Sequence, residues 1–190
     1  MDFSKGRIAE TLKAAEILME QGENVCLMIN GPVGALSCLI DASKVFMAFR
    51  KKRELMKDIL WKIGNEGLRY IEEAQNRGIR MFNWEDPTIA VNIVGPKIAK
   101  QIVEDFTYDY IKEILKLTQG KSIVHLCPKT SFALVGTEKA HAENVDLTEA
   151  MTYGQACTCM PGEIDLCGLN CIKNTKLVLG NAKFKELVLD

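Results

Sequence analysis

No apolar run in the 190-residue chain approaches the ~20 residues needed to cross a bilayer, so no membrane-spanning helix is expected. An excess of either charge is also missing. The chain carries 24 Lys and Arg against 25 Asp and Glu, a net charge of -1 and an isoelectric point near 6.2. That leaves no electrostatic footprint for nucleic acid. The opening residues Met1-Asp2-Phe3-Ser4-Lys5-Gly6-Arg7 hold no apolar segment of a secretory signal, so a cytoplasmic location is expected. There is no linker rich in Pro or Ser, no low-complexity stretch and no clear repeat. One domain over residues 1–190, or a piece of one, is the simplest organisation. Cys-x-x-Cys pairs are absent, which excludes a zinc ribbon and a thioredoxin-like site.

What is present is a globular composition, 47% hydrophobic and 26% charged, rather than a disordered one. A domain of this size buries roughly 70% of its unfolded surface and needs no disulfide staples. The seven cysteines are therefore expected as reduced thiols, free for metal or redox chemistry.

Apolar spacing from Ser4 to Gln21 predicts a helix, with Ser4 as its N-cap and Gly22 just past its end. Val25-Cys26-Leu27-Met28-Ile29 reads as a buried strand that ends at the turn Asn30-Gly31-Pro32. Val33 to Ile40 predicts a short helix. Ser43 to Asn76 predicts one or two long amphipathic helices. Ile79 to Trp84 is the next strand, followed by the loop Glu85-Asp86-Pro87. Gly95-Pro96 opens a helix that runs to about Thr118. Lys121 to Leu126 is a third strand, ended by Cys127-Pro128. Beyond Thr130 the pattern weakens. Thr148 to Cys157 reads as a helix, Ile164 to Leu169 as a strand, and Leu177 to Leu189 as either. Strands alternating with long helices predict an α/β fold, a parallel sheet covered by helices. In such folds the loops at the carboxyl ends of the strands carry the chemistry. Asn30-Gly31-Pro32, Glu85-Asp86-Pro87 and His125-Leu126-Cys127 should then face one end of the sheet.

His125 and Cys127, at positions i and i+2 of an extended chain, point to the same face. An imidazole and a thiolate so placed would share one metal ion. A zinc site needs at least a third protein ligand, and Cys157, Cys159, Cys167 and Cys171 are the available thiols. Three protein ligands leave the fourth position open, as in catalytic zinc sites, whereas a fourth cysteine would close it into a structural one. Cys26 and Cys38 lie among apolar neighbours and read as core packing. His141 reads as a solvated loop residue.

The ordered marks Asn30-Gly31-Pro32, Trp84-Glu85-Asp86-Pro87-Thr88-Ile89-Ala90, Val94-Gly95-Pro96 through Tyr110, and Ile123-Val124-His125-Leu126-Cys127 resemble the later part of the uroporphyrinogen decarboxylase superfamily. The His-x-Cys strand resembles one branch, the cobalamin-linked methyltransferases such as methylcobamide:coenzyme M methyltransferase. That resemblance implies a zinc held by His125, Cys127 and a later cysteine. Gly168-Leu169-Asn170-Cys171-Ile172 resembles the late Gly-x-x-Cys segment, so the third ligand falls on Cys171, with Cys167 as the fallback.

The family fold is an eight-stranded α/β barrel. Barrels of this architecture run to about 250 residues, so the resemblance implies a partial or shortened TIM-type barrel. The Arg-rich segment with which the decarboxylases grip substrate carboxylates has no counterpart here. The implied activity is transfer of a methyl group between a corrinoid, methylcobalamin or one carried by a partner protein, and a zinc-activated small thiol. Asp86 is the expected catalytic or orienting carboxylate, and Asn30 and Gly31 are expected to line the mouth where the cofactor docks. The alternatives are a structural-zinc or non-catalytic barrel fragment acting as a partner subunit, and a decarboxylase-like lyase. A homodimer or pairing with another barrel half would close open sheet edges. The basic run Arg50-Lys51-Lys52-Arg53 offers a patch for such a contact, although charge runs usually form solvated helix faces.

Overall fold

Short apolar runs ended by turn residues set the first half of the molecule. The computed structural model describes residues 1–161, 163–180 and 183–190. Helix α1 (Gly6–Glu20) buries Leu12 and Ala15 and stops where Gly22 takes φ 83°. Ser4 is not its cap. Its hydroxyl and backbone N–H donate to Asp2, and Lys5 occupies the N-cap position. Strand β1 (Cys26–Asn30) leads into α2 (Pro32–Leu39), which begins on a proline whose missing N–H costs nothing in the first turn. The long amphipathic stretch divides at Lys52 into α3 (Ala42–Lys51) and α4 (Arg53–Asn76). The Asp41 side chain caps α3 by accepting from the Ser43 N–H.

Strand β2 (Met81–Glu85) is followed by a 3-10 turn over Pro87–Ile89 and the short α5 (Val91–Val94). The predicted helix after Gly95-Pro96 forms as α6 (Pro96–Ile102), a π-helical turn over Val103–Thr107, and α7 (Tyr108–Thr118). Strand β3 (Ile123–Leu126) then leads to α8 (Pro128–Gly136) and β4 (Ala140–Asp146). The sequence pattern showed neither α8 nor β4. His141 lies on β4, not in a loop, and is exposed. Helix α9 (Tyr153–Cys159) starts later than Thr148, because Thr152 and Gln155 form a capping box there. The expected strand over Ile164 to Leu169 shrinks to β5 (Leu166–Cys167), and the ambiguous last segment is strand β6 (Lys183–Leu189).

Among the described residues the strands form one six-stranded sheet in the order β1-β2-β3-β5-β6-β4. The first four run parallel, and β6 pairs antiparallel with both β5 and β4. The fold is thus mixed α/β with a mostly parallel, helix-covered sheet, as expected. The sheet is open, with β1 and β4 at its edges.

Register makes two opposed rows. Leu27, Phe82, Val124 and Leu166 align across the sheet and join the main core with Leu60, Ile71, Phe106, Tyr110 and Ile111 from α4 and the α6–α7 segment. Tyr110 donates to the Gly64 carbonyl at 2.9 Å and tilts against Trp84, which ties α7, α4 and β2 together. The other row is Met28, Asn83, His125 and Cys167. On this side a second, smaller core of Met81, Ile123, Tyr153, Cys157, Cys167 and Phe184 is covered by α9.

Candidate functional site

A polar residue inside a strand buried on both faces must find partners or pay a desolvation penalty. Asn83 and His125 are two such residues, on adjacent strands and both shielded from solvent. They meet each other: His125 Nδ1 lies 2.6 Å from Asn83 Oδ1, and the Asn83 amide donates to Met28 Sδ at 2.9 Å. On the far side of the ring, His125 Nε2 is 2.9 Å from the Tyr153 hydroxyl and 3.0 Å from the Asn170 carbonyl. Burial pushes the His125 pKa down to about 4, so the imidazole is neutral near pH 7. Nδ1 faces the Asn83 amide oxygen and Nε2 faces the Asn170 carbonyl with the Tyr153 hydroxyl beside it, so the neutral ring, with one proton, has an acceptor on each side. An acceptor on Nδ1 is the arrangement that orients metal-binding histidines for ligation through Nε2.

Around that ring the thiols fall into two groups. Cys127 ends β3 and begins α8. Its N–H donates to the Trp84 carbonyl at 3.0 Å, and its own carbonyl accepts from the Thr130 and Ser131 N–H groups. The segment that carries Cys171 is pressed onto the end of β3. Gly168 sits at φ 143°, and a Cβ there would lie 2.3 Å from the Leu126 carbonyl oxygen, so only glycine allows the approach. Ser131 Oγ donates to the Gly168 carbonyl at 3.0 Å and fastens the two segments. Cys127 and Cys171 are both half-buried. The second group is Cys157 and Cys167, fully buried in the same cluster as Tyr153. Burial raises the Tyr153 and Cys167 pKa values. Among the described residues no three His, Cys, Asp or Glu side chains gather closely enough to hold a metal ion. Cys38, read from its neighbours as core, is exposed, and Cys26 is half-buried with its pKa pushed up to about 12 by burial.

The three strand-end loops do converge, and Asp86 is where two of them lock. It is buried, and both carboxylate oxygens are used: Val33 N–H donates to Oδ2 at 2.8 Å and Gly34 N–H to Oδ1 at 2.9 Å. Asp86 thus caps α2 from across the sheet, satisfying N–H groups that the helix itself leaves unpaired. Its own N–H donates to Thr130 Oγ1 at 3.4 Å, joining the α8 start to the same point. Burial raises its pKa to about 7. Gly31 is buried against it, and a Cβ at Gly31 would fall 2.4 Å from Asp86 Cβ. Asn30, the last residue of β1, is exposed beside them.

Tyr153, Asn83 and Asn170 complete the surroundings of His125 and were not singled out in the sequence. Asn83 had a signal, a lone amide inside the run Met81-Phe82-Asn83-Trp84. Tyr153 and Asn170 had none, because they reach His125 through tertiary packing.

No family model matches the chain, and no curated protein is significantly similar to it in sequence. The fold does have a solved counterpart. The chain resembles a methyltransferase. That protein, a methyltransferase from Methanosarcina mazei, superposes with a TM-score of 0.54 at 19% identity, over 69% of this chain. The match spans 41% of the methyltransferase, so this chain corresponds to less than half of it. At that identity the likeness is one of fold.

Proposed function

We propose that this chain is a methyltransferase-like protein whose site lies at the carboxyl end of β3, around His125. The observation that carries this reading is the placement of His125, a neutral, buried imidazole oriented by Asn83 at the end of a central parallel strand. The fold shared with a methyltransferase supports it.

Within this reading His125, Cys127 and Cys171 would hold a zinc ion. The donor types suit zinc, an imidazole with one nitrogen engaged by an amide oxygen and two free thiols, and the three side chains would have to draw together to enclose the ion. Cys127 lies two residues beyond His125, and Cys171 one residue beyond the carbonyl that touches Nε2. To bind the ion, Nε2 must give up its contacts with Tyr153 and Asn170. Zinc there would supply a thiol held as its thiolate, the nucleophile for a methyl group carried by a corrinoid. The chain's own residues do the rest. Asn83 fixes the ring, Gly168 lets the Cys171 segment approach, and Asp86 holds the α2 loop in place at the same end of the sheet. Asn30, exposed at the end of β1, would line the mouth where a corrinoid protein docks, whereas Gly31 is buried beneath Asp86 and would act only through the loop it shapes.

The test is methyl transfer from methylcobalamin to small thiols by the purified chain, in wild type and in Cys127→Ser. Loss of the cobalt–carbon absorbance with matching thioether formation, abolished in the variant, is the expected result. No transfer by zinc-loaded wild type, alone or with added corrinoid protein, overturns it.

A second reading is a non-catalytic subunit that completes a partner. The specific observation in its favour is that both nitrogens of His125 are engaged by protein groups. Its signature would be stable association on co-expression with a corrinoid protein or a full-length relative, without activity of its own.

A further inference from the structure

Glu85 and Asp86 adjoin at the end of β2, and the fold uses them differently. Both Asp86 carboxylate oxygens are taken by the Val33 and Gly34 N–H groups of α2. Glu85 is half-buried, and its carboxylate makes no ion pair or hydrogen bond among the described residues. Its direction follows from the register. Alternate residues of a strand share a face. Asn83, two residues earlier, meets His125, so Glu85 leaves β2 on the His125 side. Its partner on β1 is Asn30. On the other side Trp84 pairs with Leu126, and the Cys127 N–H donates to the Trp84 carbonyl, which carries the parallel ladder one step further. Cys127 is therefore its neighbour at the end of β3. The row Asn30, Glu85, Cys127 lies just beyond the row Met28, Asn83, His125, toward the carboxyl ends of the strands. Neighbouring strands are about 4.8 Å apart, so a small molecule with its sulfur beside Cys127 has the Glu85 carboxylate within reach. The cations nearest in sequence, Lys129 and Lys173, are exposed, where solvent and salt screen them.

We propose that Glu85 selects the thiol: its carboxylate receives the ammonium group of a small aminothiol whose sulfur lies beside His125 and Cys127. The proposal rests on the methyltransferase reading and names the substrate class for that site. A half-buried carboxylate without a partner gains a charge-assisted hydrogen bond from an ammonium group. The exposed Asn30 amide beside it accepts a second N–H. A neutral thiol leaves Glu85 unpaired, and a thiol that carries a carboxylate or sulfonate meets like charge there, so the same residue attracts one class and repels another. No bond is made or broken at Glu85, and the ammonium group leaves as it entered.

The test compares cysteamine, 2-mercaptoethanol and thioglycolate on the full chain with one equivalent of zinc, in wild type, Glu85→Gln and Glu85→Lys. Two quantities are read. One is the dissociation constant, from the backbone NMR shifts of Asn30 and Cys127. The other is kcat/KM for demethylation of methylcobalamin. Intrinsic thiol reactivity is the same against all three proteins, so a changed ratio between thiols isolates residue 85. The binding preference for cysteamine over 2-mercaptoethanol should fall about tenfold in Glu85→Gln, the worth of one hydrogen bond to a charged group. In Glu85→Lys it should turn toward thioglycolate. Ratios unchanged in both variants, or no binding of cysteamine by the wild type, overturn the proposal. An equal loss for all three thiols together with lost zinc also overturns it, because Glu85 would then hold the metal. Glu85-dependent binding of cysteamine without methyl transfer overturns the methyltransferase reading and leaves the ammonium site standing.

Discussion

Asp86 and His125 are buried ionisable groups whose pKa values move in opposite directions, and their effects on stability oppose each other. His125 falls from 6.5 to about 4. Between those values the unfolded chain holds a proton that the folded chain lacks, so stability rises with pH and is lost as pH falls. Asp86 rises from 3.8 to about 7. Over that window the folded chain holds the extra proton, so stability falls as pH rises. From about pH 4 to 6.5 the two slopes cancel in the wild type. Asp86→Asn removes one of them. The unfolding free energy of that variant, followed by urea denaturation, should climb with pH across this window while the wild type stays flatter. Equal slopes in both proteins would show that Asp86 does not titrate there. At fixed pH, Asp86→Ala strands the Val33 and Gly34 N–H groups. Each lost partner costs about 1–3 kcal/mol, so a loss of roughly 2–6 kcal/mol is expected in the same measurement. Gly31→Ala should also destabilise, because its new Cβ would collide with Asp86.

The elements that place His125 differ in how they announce themselves. Strands β1, β2 and β3 are short apolar runs closed by turn residues, since a parallel sheet buries both faces. They were legible, and so were the helices between them. Strand β4 was not. Its sequence Ala-His-Ala-Glu-Asn-Val-Asp shows little apolar content because it is an edge strand with mostly exposed side chains. Strand β5 is too short to leave a pattern and exists through its pairing with β3 and β6.

Helix α9 matters most for the site, because it carries Tyr153 onto Nε2. Its start rests on the Thr152–Gln155 capping box. Thr152→Ala should cost about 1 kcal/mol, measurable by thermal or denaturant unfolding. The same change should loosen Tyr153, seen as a shift of the His125 ring signals in NMR. An unmoved ring would mean that Tyr153 is held by Phe184 stacking rather than by the helix start.

At the scale of the molecule, the sheet ends at β1 on one side and β4 on the other. The β4 edge is lined with His141, Glu143 and Asp146, charged or polar residues that discourage further pairing. The β1 edge carries an exposed Met28, and the fold matches less than half of its methyltransferase counterpart. His125 and Cys127 could be proposed from spacing alone, whereas Cys171 needed a family resemblance to single it out among four late cysteines. The central claim is that His125, Cys127 and Cys171 form a metal centre in this methyltransferase-like fold. It is tested most directly by elemental analysis of the purified chain, prepared without chelator, in wild type and in Cys171→Ala. About one zinc per chain in the wild type and a sharp loss in the variant is the expected result. No zinc in the wild type, or zinc retained at the wild-type level in Cys171→Ala, would contradict it.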